Sequence, residues 1–258
     1  MFSKVITYIK FLSKSKNEHG VHSPFVFNLI TQCLYEKSTP EGFQSWQKFR
    51  NQLRSNQNYI EVTDFGAGSK VFSSNKRQIS KIARYAGISK KRAKLLMKLS
   101  RYFDFKNVLE IGTSLGLGTS AIAMENSNAN VITLEGCTET TKVAKSMFDQ
   151  FDLSNIEVKE GDFKETLKKS INNSKYDLIY FDGNHSKEAT IDYFEQCLSA
   201  IHNNTLFLFD DIHWSSEMEA AWEFISTHKK VSVSIDTFQW GLVFFRKEQQ
   251  KEHFIIRV

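Results

Sequence analysis

Cysteine is scarce. Cys33, Cys137 and Cys197 are the three in 258 residues, odd in number, far apart and in no metal-ligand spacing. That excludes a disulfide framework and a cysteine-based zinc site, and it fits a reducing, cytoplasmic setting in which each thiol packs as a small hydrophobe. Proline is scarcer still, with Pro24 and Pro40 alone, so long proline-rich linkers are excluded. No uninterrupted apolar run reaches the ~18 residues that cross a bilayer, so no transmembrane segment is expected. Near the start, Phe2, Val5, Ile6, Ile9 and Leu12 recur at helical spacing with Lys4, Lys10 and Lys14 among them. This is no signal-peptide core; it reads first as a helix packed on its own protein, and second as a membrane-surface helix.

What remains is the composition of a globular chain long enough to bury its own core, with 41% hydrophobic and 24% charged residues. The net charge of +5 hides an asymmetry: residues 1–107 hold 20 Lys and Arg against 6 Asp and Glu, residues 108–258 hold 14 against 23. Lys70 to Lys106 carries 12 basic residues and one acid, Asp104. Such a face meets solvent, an anionic partner or the acidic second half.

The second half alternates strand and helix patterns. Strand-like runs fall at 107–112, 130–135, 155–160, 176–182 and 205–211, separated by amphipathic stretches at 118–125, 138–151, 163–171 and 186–201. Strands separated by helices specify a parallel, doubly wound α/β sheet. After a further helix at 214–228 come VSVSIDTF and GLVFFR, so close that they can only form an antiparallel hairpin, which is expected to end the sheet. Residues 1–105 read as a mainly helical cap, with helices at 2–14, 24–36, 40–55, 75–86 and 90–103 and one strand-like piece at 59–64; residues 106–258 read as the Rossmann-like domain.

VLEIGTSLGLGTSAIA, residues 108–123, runs an apolar strand through Gly112, Gly116 and Gly118 into a small-residue helix. This brings backbone N–H groups and a helix N-terminus to a ligand, with glycines where a side chain would hold it away. The G-x-x-x-G-x-G spacing disfavours a nicotinamide dehydrogenase. Glu135 closes the next strand, where an acid accepts hydrogen bonds from a ribose diol. Further on, Asp182 ends the fourth strand and Asp210 with Asp211 the fifth. Three acids at one sheet edge call for a divalent cation or a shared proton, unless Asp182 caps the helix that follows.

LEIGTSLGLGTS, TLEG and GDF at 161–163 together resemble the S-adenosylmethionine-dependent methyltransferases with a Rossmann-like sheet, over about residues 90–246. The resemblance implies that Glu110 and the loop of Gly112, Thr113, Ser114, Gly116, Gly118 and Thr119 hold the methionine part. Glu135 and Gly136 would hold the ribose, Asp162 with Phe163 the adenine, and Asp182 would border the cofactor. DGNHS followed by FDDIHW narrows it to something similar to the metal-dependent O-methyltransferases of the catechol and macrolide-sugar kinds, which implies magnesium at Asp182, Asp210 and Asp211. Where the catechol enzymes have Asp-Asn this chain has Asp-Asp, and where they have a lysine it has His185. That histidine is the candidate general base, since imidazole suits proton transfer at neutral pH, with Asp182 beside it as a catalytic partner.

Other motifs carry less. VTDFGAGS (62–69) imitates a cofactor loop but leads into a polar, basic stretch; it reads as a loop over the substrate with Asp64 inward, or as a tight turn. His19 and His22 read as surface or capping residues, His213 as support for the acids before it, and Phe238, Trp240 and Phe244 as core. The expectation is a cytoplasmic, metal-assisted O-methyltransferase acting on a small hydroxylated molecule, with homo-oligomerisation left open. Two alternatives stand beside it. One is a nucleic-acid methyltransferase using the basic region, disfavoured by few stacking aromatics there; the other is a non-catalytic cofactor-binding protein.

Overall fold

A computed structural model describes residues 2–63 and 74–258. Its helices are α1 (Phe2–Lys14), α2 (Pro24–Leu29), which runs on as a π-helical turn at Ile30–Leu34, α3 (Phe43–Ser55), α4 (Ile79–Tyr85), α5 (Lys90–Phe103), α6 (Leu117–Glu125), α7 (Thr138–Gln150), α8 (Phe163–Ile171), α9 (Lys187–Cys197) and α10 (Ser216–Thr227). The strands are β1 (Tyr59–Glu61), β2 (Lys76–Gln78), β3 (Asn107–Ile111), β4 (Asn130–Glu135), β5 (Ile156–Glu160), β6 (Leu178–Phe181), β7 (Leu206–Asp210), β8 (Val233–Asp236), β9 (Trp240–Phe244) and β10 (Glu252–Ile255). The class is α/β with mostly parallel strands. The VTDFGAGS loop, from Asp64 on, lies outside the described residues. Among the described residues, no helix is long and apolar enough to cross a membrane.

The chain divides into two compact units, Lys37–Asn172 and the pair of segments Met1–Glu36 and Asn173–Val258. In the continuous unit β3, β4 and β5 lie parallel in that order, with Val108 opposite Val131 and Val131 opposite Ile156. Past its exposed first residue β3 is buried throughout, as an apolar run between covered faces should be. Helix α5 starts on Ser89, whose hydroxyl accepts from the Arg92 N–H at 3.2 Å, and stops at Asp104 in the left-handed region. Trp46 of α3 is fully buried and its Nε1 donates to Leu117 O at 2.9 Å. That contact and Glu125 Oε2 accepting from the Gly42 N–H at 2.9 Å fix α3 to both ends of α6, the helix that follows the glycine loop. A short antiparallel ribbon, β1 with β2, places Ile60 opposite Arg77.

In the discontinuous unit the strand order is β10-β8-β9-β7-β6. Strands β6 and β7 are parallel and the hairpin β8–β9 is antiparallel, joined to β7 through β9. The hairpin does not end the sheet, however. Strand β10 pairs parallel to β8, with Phe254 opposite Ile235, and takes the edge. Phe181 stacks on Phe209 at 4.2 Å, with Phe194 and Phe207 against them, to build the core. Gly241 is forced: a Cβ there would lie 2.3 Å from the Trp222 ring.

Candidate active site

The glycine loop is shaped by backbone that only special residues accept. Gly112 has φ 107°, Ser114 φ 50° and Gly116 φ 77°. At Gly116 the left-handed backbone is reinforced by crowding, since a Cβ would stand 2.4 Å from Phe148 Cζ. The N–H groups of Gly112 and Thr113 both donate to Leu134 O, at 3.0 and 3.1 Å, so the loop is pinned to the end of β4. Gly116 caps α6, and Gly118 and Thr119 occupy its buried first turn.

Beneath the loop sits a buried carboxylate, Glu110, 1% exposed. Its Oε2 accepts from Thr119 Oγ1 and, at 2.6 Å, from Thr133 Oγ1. Thr133 spends its one hydroxyl proton there, so at its 2.6 Å contact with Thr113 the donor is Thr113. The other oxygen, Oε1, is buried and meets no hydrogen-bond partner among the described residues. Burial pushes the Glu110 carboxyl up to about 7, against the pull of the two threonine hydroxyls. A buried carboxylate oxygen with no partner among the described residues leaves room for a donor from a ligand. Thr133 escaped the sequence reading; its only signal is a hydroxyl amid the apolar run of β4.

Glu135, last residue of β4, grips the loop from the other side. Its Oε2 accepts from the Ser114 N–H at 2.7 Å and its Oε1 from the Cys137 N–H at 2.9 Å. Burial raises its carboxyl pKa, opposed by those amides and that of Gly136. A carboxylate oxygen accepts more than one hydrogen bond, so both keep capacity for hydroxyl donors. Asp162 caps α8, its Oδ1 accepting from the Lys164 N–H at 2.8 Å, and Phe163 follows half-buried. Glu110, Thr113, Ser114, Thr119 and Glu135 are thus brought together by direct hydrogen bonds or through Thr133 and the glycine loop.

The acids of the discontinuous unit are arranged differently. Asp210, 2% exposed, accepts on Oδ1 from Trp240 Nε1 at 2.8 Å and from the Asp211 N–H at 2.9 Å. Tyr180 Oη donates to Asp182 Oδ2 at 3.1 Å. Asp182 does not cap α9; Ser186 does, accepting from the Ala189 N–H at 3.4 Å. Among the described residues no group of three or more His, Cys, Asp or Glu side chains is gathered to hold a metal ion. The expected gathering of Asp182, Asp210 and Asp211 is thus not seen, and Asp210 Oδ1 instead serves the indole and a backbone amide. Trp240 is therefore core, as expected, and also a positioning donor.

His185 Nε2 stands 3.9 Å from Asp182 Oδ1, with its ring 6.2 Å from that of Trp214. His213 is engaged elsewhere: Nε2 lies 2.8 Å from Asp236 Oδ2 and Nδ1 3.3 Å from Glu219 Oε1. Burial opposes its protonation, but these two carboxylates carry its pKa above the usual imidazole value. Phe238 stacks on it at 5.2 Å.

Residues 109–212, from inside β3 to just past β7, match the family model of a methyltransferase domain. That stretch is accordingly a methyltransferase domain, and the chain around it has the Rossmann-like α/β fold of its structural neighbours. Among solved structures it is similar to the SAH-bound methyltransferase PaMTH1 of Podospora anserina, with a TM-score of 0.61 at 14% identity over 88% of this chain and 97% of that one. It is also similar to an O-methyltransferase from Bacillus cereus in complex with SAH, with a TM-score of 0.56 at 18% identity over 85% and 96%. A third is the O-methyltransferase TomG from Streptomyces achromogenes, involved in tomaymycin synthesis and solved with SAM, with a TM-score of 0.55 at 14% identity over 86% and 95%. No curated protein matches by sequence.

Proposed function

We propose that the protein transfers a methyl group from S-adenosylmethionine (SAM) to a hydroxyl of a small molecule. The observation that carries this reading is the unpartnered Oε1 of buried Glu110 under a positive-φ glycine loop. These features fit an adenosyl amino acid: Glu110 and the loop from Gly112 to Thr119 would hold its methionine part, Glu135 its ribose hydroxyls, and Asp162 with Phe163 its adenine.

Bound there, the cofactor supplies an already activated methyl group, so the chain needs no nucleophile of its own. Its residues have to align the acceptor oxygen and take its proton. We assign proton removal to His185, with Asp182 as its neighbour, Oδ1 lying 3.9 Å from Nε2. Asp182, Asp210 and Asp211 are not gathered around one point among the described residues, and no step is routed through a metal.

The test is a panel of catechols and other hydroxylated small molecules scored by methyl transfer from labelled SAM, with EDTA and with added magnesium. Transfer that persists in EDTA supports the reading. Transfer that EDTA abolishes and magnesium restores would overturn its metal-free chemistry, and failure to bind SAM or its demethylated product would overturn it entirely.

A further inference from the structure

Helix α1 presents its apolar side outward. Val5 is 54% exposed, Ile6 52%, Tyr8 44%, Ile9 59% and Leu12 36%. At 3.6 residues per turn these side chains share one arc on the order of 160° wide. The helix rests on its own unit by the opposite, narrow side. Phe11 is buried there, 5.4 Å from Phe238, Thr7 is half-buried, and Tyr8 touches Phe238 with one edge of its ring at 4.7 Å. Beyond its end, the Lys16 N–H donates to Ile255 O at 2.8 Å and moors it to β10. The helix is thus held without spending the broad face. Ser13, at the margin of that face, turns its hydroxyl back to Lys10 O at 2.8 Å, so it presents no unmet polar group.

Charge identifies what covers this face. Residues 1–17 carry Lys4, Lys10, Lys14 and Lys16 and no acid. Lys10, Lys14 and Lys16 are exposed; Lys10 borders the apolar arc on its Ile6 side, and Lys14 and Lys16 add cations at and just beyond the end of the helix. A second copy of the chain would bring the same cations against them, whereas an anionic bilayer offers acyl chains to the arc and headgroups to the lysines. We propose that α1 is an interfacial helix that docks the protein on anionic lipid, lying in the headgroup plane without crossing it. This surface is independent of the methyl-transfer chemistry, so it stands or falls separately from it.

The test is flotation of the full-length protein with vesicles of phosphatidylcholine alone and of phosphatidylcholine with an equal share of phosphatidylglycerol. Partitioning should be at least ~10-fold stronger on the anionic vesicles and should fall by a similar factor when salt is raised from about 0.1 to about 0.5 M. Ile6→Ser/Ile9→Ser and Lys10→Glu/Lys14→Glu should each lower it ~10-fold or more while leaving the thermal midpoint and SAM binding in place. Equal binding to both vesicle types, or binding indifferent to both double variants, would overturn the proposal. So would a protein that ignores vesicles and forms a dimer weakened by Ile6→Ser/Ile9→Ser, which would give the face to a second copy.

Discussion

Replacing Glu110 by glutamine should make the protein more stable and worse at holding its cofactor. The carboxyl is pushed up from 4.5 to about 7 by burial. The folded state therefore keeps a proton that the unfolded chain sheds between those values, and folding stability falls as pH rises through that window. At ~1.36 kcal/mol per tenfold change in proton affinity, the ionised carboxylate costs the folded, ligand-free protein about 3 kcal/mol above pH 7. Glutamine keeps the shape and an oxygen to accept from Thr119 and Thr133, and it has no proton to lose. Urea unfolding at pH 4, 6 and 8 should show the variant close to wild type at pH 4 and about 2–3 kcal/mol more stable at pH 8. In melting temperature that is roughly 4–10 °C. Calorimetry should show the opposite for the ligand. Demethylated cofactor carries an ammonium, so wild-type affinity should rise with pH through about 7, while the variant should bind ~10–100-fold more weakly with no such rise. A stability difference that does not grow between pH 4.5 and 7, or unchanged affinity, would refute the placement of a cation receptor at Glu110.

Three further outcomes follow from the same geometry. Glu135→Ala removes the acceptor of the Ser114 and Cys137 amides and, on the proposed reading, of the ribose hydroxyls, so product binding measured by calorimetry should weaken by about 1.5–3 kcal/mol. His185→Ala should slow methyl transfer ~10²–10⁴-fold at saturating acceptor with cofactor affinity preserved; a rate within about threefold of wild type would remove it as the base. Gly116→Ala forces a Cβ against Phe148 on a left-handed backbone, and chemical denaturation should show a loss of about 1–3 kcal/mol together with loss of SAM binding.

Much of this site could be read from the chain because its elements are local. An apolar run into Gly112, Gly116 and Gly118, an acid closing the next strand, and GDF after the third each lie within a few residues of the backbone they shape. The hidden parts depend on partners far along the chain. Thr133 acquires its role only when β4 lies beside β3, and Trp240 reaches Asp210 across 30 residues. Strand β2, Lys-Arg-Gln, has no apolar alternation and exists through backbone pairing with β1. Strand β10 is four residues long with two exposed, too faint a pattern to displace the hairpin from the edge. The role of Asp210 was hidden for a similar reason, since nothing in FLFDDIHW announces an indole waiting for its first acid.

The division of the chain has a consequence for how it is made. Lys37–Asn172 is continuous and can close on itself while synthesis goes on. Residues 1–36 cannot, because their partners come last: Lys16 pairs with Ile255 and Ile256, and Tyr35 Oη donates to Arg257 O at 2.9 Å. At ~5–20 residues per second, the first segment waits roughly 10–40 s for the strand that moors it. For that interval the segment bearing Val5, Ile6, Ile9 and Leu12 lacks the strand that moors it, so an earlier-made piece of this fold docks after a later-made one.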